Sequence, residues 1–289
     1  MMKSENKGGD LTIAVSNFHM SYDEMGEGSI PVIFLHGFPF DKSMWAEQME
    51  FLKSSYRVIA LDTRGFGKST DEESELSIEM FGDDLISFLD ALYIEKAVVC
   101  GLSMGGYITL NAHQRFPERF EALVLCDTQC IADPVEIKEK RLNTILDIEA
   151  DGIEKFNENL IQNLFHKDSL ISKKGIVKNL SKVVNSNSPQ IISQGLIALA
   201  NRSETCSSLA SINVPTLIIV GREDTLTPLA ESEKMHKSIK GSTLKVIDDA
   251  GHVSNLEQPN VFNQYLGDFL ATLSGLEVEE MSEARHAGK

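Results

Sequence analysis

The stretch VVCGLSMGGYITL, residues 98–110, sets Ser103 among Gly101, Gly105 and Gly106, between an apolar run and a helix-like segment. A serine hydroxyl there could attack an acyl carbon, but it is a poor nucleophile until a neighbouring base takes its proton. At ordinary glycine and serine usage a G-x-S-x-G match arises by chance about once in ten chains of this size. The surroundings must therefore decide. Gly101 and Gly105 permit a sharp turn where a side chain would crowd the neighbouring strand or helix. Gly106 lets the next helix lie close to a sheet. A serine at such a turn also sits at a helix N-terminus, where backbone N–H groups face developing negative charge.

A base and an orienting acid are needed to complete this chemistry. His252, in DDAGHVSNLEQP, lies in a glycine-preceded loop after the last apolar run and before the last helical segment. His19, His113, His166, His236 and His286 fall in a leading β segment, helix interiors or the C-terminal tail. His36 opens HGFPFDKSMW and reads as structural, because it lies on the side where an oxyanion would be held. For the acid, Asp224 in VGREDTLTP follows the glycine that ends an apolar run, and Asp127 at the end of the preceding run competes with it. Asp248 and Asp249 sit too close in sequence to the histidine loop. The loop His36-Gly37-Phe38 can aim the N–H of Phe38 at the point reached by the N–H of Met104. Two such donors form an oxyanion hole, worth roughly 3–4 kcal/mol each in acyl transfer.

Elements able to position these groups are visible along the chain. Two β-like stretches, LTIAVS and HMSYDEM, lead to six apolar runs: PVIFLH, YRVIAL, KAVVCG, EALVLC, PTLIIVG and TLKVID. Short, valine- and isoleucine-rich runs without alternation suit strands buried on both faces. Helical patterns lie between them, at 77–92, after Ser103, at 229–239 and at 260–273. Such alternation implies a mostly parallel sheet flanked by helices, with ligands beyond the carboxyl ends of its strands. From about Ile131 to Leu209 only amphipathic segments occur, such as EIKEKRLNTILDI and IEKFNENLIQNLF. That interval reads as a helical cap. The division expected is a core over 1–128, a cap over 129–210, the rest of the core over 211–274 and a flexible tail over 275–289.

The net charge of −16 leaves no lysine/arginine cluster for a nucleic-acid backbone. DEESE and EVEEMSE read as solvated acidic runs. Neither a signal peptide nor a membrane span is apparent, so a cytoplasmic setting is expected. Cys100, Cys126, Cys130 and Cys206 lack metal-site spacing and are expected as reduced thiols, with a disulfide the minority reading. No metal or organic cofactor is called for.

The order Ser103, Asp224, His252 is that of an α/β-hydrolase triad. From about Leu11 to Leu273 the chain resembles that fold family, with HGFPFDKSMW, ALDTRGFGKS, GLSMGGY, VGREDTLTP and AGHVSNLEQP matching its landmarks in order. Within it, LVLCDTQCIADPVEIKEKR and SNLEQPNVFN are similar to the 3-oxoadipate enol-lactonase-like carboxylesterases. The resemblance implies an eight-stranded sheet with a helical cap inserted after the sixth strand. It implies Ser103 as nucleophile, Asp224 as acid, His252 as base, and Phe38 and Met104 as oxyanion donors. Asp62, Arg64, Gly65 and Gly67 carry over as a shaping loop.

The implied function is hydrolysis of a small carboxylic ester or lactone. Alternatives within the fold are a cofactor-free perhydrolase and a ligand-sensing binding protein with little turnover. A dehalogenase would need a carboxylate at position 103. Phe38, Cys130, Phe165 and Val253 are the expected pocket residues. Lys138, Lys140 and Arg141 offer contacts to an acidic substrate group, with a solvated helix face the preferred reading. The sequence leaves self-association open, with the cap as a candidate surface.

Overall fold

Eight strands form a single sheet in the order β1-β2-β4-β3-β5-β6-β7-β8. The computed structural model describes residues 8–69 and 75–273; the expected tail and most of the DEESE run lie outside them. The strands are β1 Gly8–Val15, β2 Phe18–Met25, β3 Val32–Leu35, β4 Val58–Leu61, β5 Ala97–Leu102, β6 Phe120–Cys126, β7 Thr216–Gly221 and β8 Thr243–Ile247. Strands β3 to β8 run parallel, and β2 joins β4 antiparallel at one edge. Every residue of β3, β4, β5 and β7 is buried, as their unbroken apolar runs require. The edge strand β1 alternates instead, and is half exposed.

The helices are α1 Ala46–Leu52, α2 Ile78–Ala91, α3 Met104–Arg115, α4 Val135–Asp151, α5 Glu154–Leu164, α6 Lys167–Ser172, α7 Lys174–Asn185, α8 Pro189–Asn201, α9 Leu229–Ser238, α10 Ser254–Glu257 and α11 Pro259–Leu273. Their starts follow local chemistry. Ser77 caps α2 by accepting the Met80 N–H at 3.1 Å, and Ser188 caps α8 by accepting the Ile191 N–H at 3.2 Å. Gly152, at φ 84°, ends α4 in a conformation that favours glycine. The helix α1 was not anticipated, because seven residues carry too short a periodicity to stand out.

Helices α4 to α8 form the cap inserted after the sixth strand. Ile145, Ile148, Ile161, Leu164, Leu196 and Leu199 bury into the same apolar cluster as the sheet. The expectation of four reduced thiols is corrected here: Cys130 and Cys206 form a disulfide. They flank the cap in sequence, and the fold brings its two connections together, where Thr205 N–H donates to Cys130 C=O at 2.8 Å. Cys100 and Cys126 remain free and buried. Among the described residues no helix is long and apolar enough to cross a membrane.

Candidate active site

Ser103 stands at the junction of β5 and α3 with φ 54° and ψ −112°, a strained backbone for a residue bearing a Cβ. Its N–H donates to Cys126 C=O at 2.9 Å, and its C=O accepts from Thr128 Oγ1 at 2.8 Å. The flanking glycines are sterically required. A Cβ on Gly101 would lie 2.2 Å from the Gly105 oxygen, and one on Gly105 would lie 2.3 Å from the Leu35 oxygen.

The loops after β7 and β8 bring two side chains to this serine. His252 Nε2 lies 2.7 Å from Ser103 Oγ, and His252 Nδ1 lies 2.8 Å from Asp224 Oδ2. Asp224 is fixed in turn: Oδ1 accepts the N–H groups of Leu226 (2.8 Å) and Thr227 (3.0 Å), and Oδ2 accepts Thr227 Oγ1–H (2.7 Å). Burial by itself lowers the proton affinity of His252, but the charge and hydrogen bond of Asp224 outweigh it and hold the pKa above the ordinary 6.5. Burial likewise opposes ionisation of Asp224, yet the facing imidazole and the Thr227 donors bring its pKa below 3.8. The carboxylate therefore sets the imidazole proton on Nδ1 and leaves Nε2 free to accept from serine.

Asp127, the competing acid, is engaged elsewhere. Its Oδ1 accepts Gly221 N–H at 2.8 Å, and its Oδ2 accepts Ser254 Oγ–H at 2.5 Å. Burial and the nearby Asp224 charge push its pKa up to about 8. Asp248 is exposed and bonds Arg222.

The loop beginning at His36 passes directly beside Ser103, since a Cβ on Gly37 would lie 3.4 Å from Ser103 Cβ. His36 is fully buried and structural: Nδ1 donates to Gly37 C=O at 2.9 Å, and Nε2 accepts Thr63 N–H at 3.0 Å. Burial lowers its pKa and favours the neutral ring. Asp62 accepts from Lys42 N–H (2.8 Å), Lys42 Nζ (2.7 Å) and Lys68 N–H (2.9 Å), tying the loop to the segment after β4. Arg64 is locked to Asp84 by paired bonds of 2.7 and 2.6 Å. Asp84 lies in α2, so Arg64 ties the segment after β4 to that helix.

A family model described as the alpha/beta hydrolase fold matches residues 30–259. The chain belongs to the α/β-hydrolase family. It is 29% identical over 253 residues to 3-oxoadipate enol-lactonase 2 of Acinetobacter baylyi, covering 87% of this chain and 93% of that protein. It superposes on a thermophilic esterase from Thermogutta terrifontis with TM-score 0.87 and 30% identity, covering 91% of this chain and 98% of that one. The enol-lactonase from Burkholderia xenovorans LB400 gives TM-score 0.84 at 25% identity, covering 90% of this chain and 100% of that one.

In this α/β-hydrolase a cavity of about 660 Å3 opens over Ser103 and His252, beneath the cap. Phe38 lines it as expected, with Tyr107, Phe156, Leu164, Leu196 and Leu199. The other three expected pocket residues are not among its lining. Cys130 is held in the disulfide, while Phe165 and Val253 bury into the apolar core. Of the three basic residues of α4, Lys140 and Arg141 line the cavity, Lys140 while still exposed, and Lys138 does not. Arg141 Nε donates to Asp133 at 2.6 Å, and Arg202 Nη1 reaches the other oxygen of Asp133 at 2.7 Å while stacking over Tyr107. Tyr107 was detectable in principle, one helical turn after Ser103. The cap residues were not. Among the described residues no group of three or more metal-ligating side chains is gathered to hold an ion.

Proposed function

We propose that this α/β-hydrolase is a serine-dependent hydrolase of small carboxylic esters or lactones. The observation that carries the reading is the Asp224–His252–Ser103 relay, whose serine stands on a positive-φ elbow and opens into the cavity. His252 Nε2 takes the hydroxyl proton as Ser103 Oγ attacks the carbonyl carbon. The N–H groups of Phe38 and Met104 stabilise the tetrahedral oxyanion. The imidazolium, steadied by Asp224, then gives its proton to the leaving alkoxide or enolate oxygen, and an acyl-enzyme forms on Ser103. Water, deprotonated by the same imidazole, attacks the acyl carbon and releases the acid.

The enol-lactonase relatives and the esterase neighbour support the ester or lactone class. The walls add a preference. Lys140, Arg141 and Lys155 face Asp133 and Asp147 around the cavity, three cationic groups against two anionic ones. This balance favours an acyl portion with an anionic end.

Hydrolysis of p-nitrophenyl acetate and butyrate by wild type and Ser103→Ala, with folding checked by circular dichroism, tests the proposal. Sustained turnover that disappears in the variant is expected. Turnover indifferent to Ser103, or none in wild type, would leave ligand binding without catalysis as the better account.

A further inference from the structure

The cap holds the loop that carries His252 through contacts to the backbone. His252 N–H donates to the Leu164 C=O at 2.7 Å, at the end of α5. A Cβ on Gly251 would lie 2.6 Å from that same oxygen and 2.9 Å from the nitrogen of His166. The two segments can touch only because that residue is glycine. Glu257, fully buried at the end of α10, spans the contact. Its Oε1 accepts Gly251 N–H at 2.6 Å, and its Oε2 accepts His166 N–H at 2.8 Å. The Ser169 hydroxyl of α6 also bonds the carboxylate. One acid thus holds both the base-bearing loop and the α5–α6 junction of the cap, and the relay described above assigns it no part. Leu164 has two duties as well, because it lines the cavity and accepts from His252.

We propose that Glu257 is a positioning residue: its carboxylate bolts the α5–α6 junction to the His252 loop, coupling the cavity wall at Leu164 to the aim of the imidazole. The inference rests on His252 acting as the base of the proposed hydrolase. Three acidic groups then bear on the imidazole: Asp224 from the loop after β7, Asp127 from the end of β6, which keeps its proton up to about 8, and Glu257 from the end of α10. His166 of the cap bears on Glu257 in turn. Burial raises the Glu257 pKa, and its hydrogen bonds oppose that rise.

Hydrogen–deuterium exchange and p-nitrophenyl butyrate kinetics on wild type, Glu257→Gln and Glu257→Asp test the coupling. In Glu257→Gln the amide NH2 must face one of two N–H donors. Protection at residues 164–166 and 251–252 should therefore fall together. The kcat should drop at least about tenfold with KM changed by less than about threefold, as misaligned catalytic groups require. The acid limb of the kcat/KM profile should move to lower pH, because a negative charge near His252 is gone. Glu257→Asp keeps the charge on a shorter arm, so kcat should fall while the limb stays in place. A folded Glu257→Gln with wild-type kcat and an unmoved limb overturns the proposal, and so does protection lost on one side alone. If Glu257→Gln does not fold, Glu257→Asp decides by the same paired exchange. Full activity in Ser103→Ala would sink the hydrolase reading separately, leaving the exchange experiment to judge the bolt itself.

Discussion

Replacing Asp224 by asparagine changes one atom of the relay, and its consequence follows from the hydrogen bonds around it. Oδ1 sits under the N–H groups of Leu226 and Thr227, at 2.8 and 3.0 Å. An amide NH2 turned that way would face two donors, so it must take the place of Oδ2. There it lies 2.8 Å from His252 Nδ1 and 2.7 Å from Thr227 Oγ1, whose hydroxyl can rotate to accept. The NH2 donates to Nδ1, which must then carry a lone pair, and the ring proton moves to Nε2. Across 2.7 Å Nε2 now donates to Ser103 Oγ instead of accepting from it. The serine has lost its base. Asp127 cannot substitute, being committed to Gly221 and Ser254. A wrong tautomer of this kind costs about 10⁴ in rate, or roughly 5.5 kcal/mol. The assay is kcat/KM on p-nitrophenyl butyrate, with thermal unfolding of both proteins alongside. A folded variant that loses less than about tenfold would refute the reasoning.

Three further outcomes are expected. The kcat/KM profile should rise along an acid limb with its midpoint above 6.5, because Asp224 outweighs burial and retains the His252 proton; a lower midpoint in a buffer series would contradict this. Asp127 keeps its proton in the folded state up to about 8 against 3.8 in an unfolded chain, so it makes stability fall as pH rises through that window. Asp127→Asn should accordingly gain more in Tm over wild type near about pH 9 than near about pH 5, and a gain independent of pH would count against it. Cys206→Ser opens a loop closed over a separation of 76 residues and should lose about 4 kcal/mol in urea unfolding, a cost that an unchanged midpoint would disprove.

The strands were legible because burial on both faces leaves little but valine, isoleucine and leucine along each run. Ser103 and His252 were legible because a strand end followed by glycine is a rare setting for a hydroxyl or an imidazole. Asp127 and Asp224 were harder to separate. Both end buried strands, and only the fold shows that one meets Nδ1 while the other meets Ser254. The pocket was the least legible part. Periodicity marks the apolar face of a cap helix but not what that face covers, so Phe165 read as wall and proved to be core, while Leu196 and Leu199 went unnoticed. The disulfide was missed for a related reason. Its cysteines are distant in sequence, and no local spacing announces a contact that the whole cap must fold to make.

Because Cys130 and Cys206 stand on either side of α4 to α8, the cap is a ring closed through sulfur. A protease that cuts once between them severs the backbone without freeing either piece. The nicked protein would migrate as one species on a denaturing gel until a thiol reductant separates two fragments. Two cuts could remove a length of cap, yet the flanking halves of the hydrolase core would stay tethered at the neck. Serine, acid and histidine lie on both sides of that neck, so the bond keeps the relay's parts on one covalent body after the chain between them has been broken.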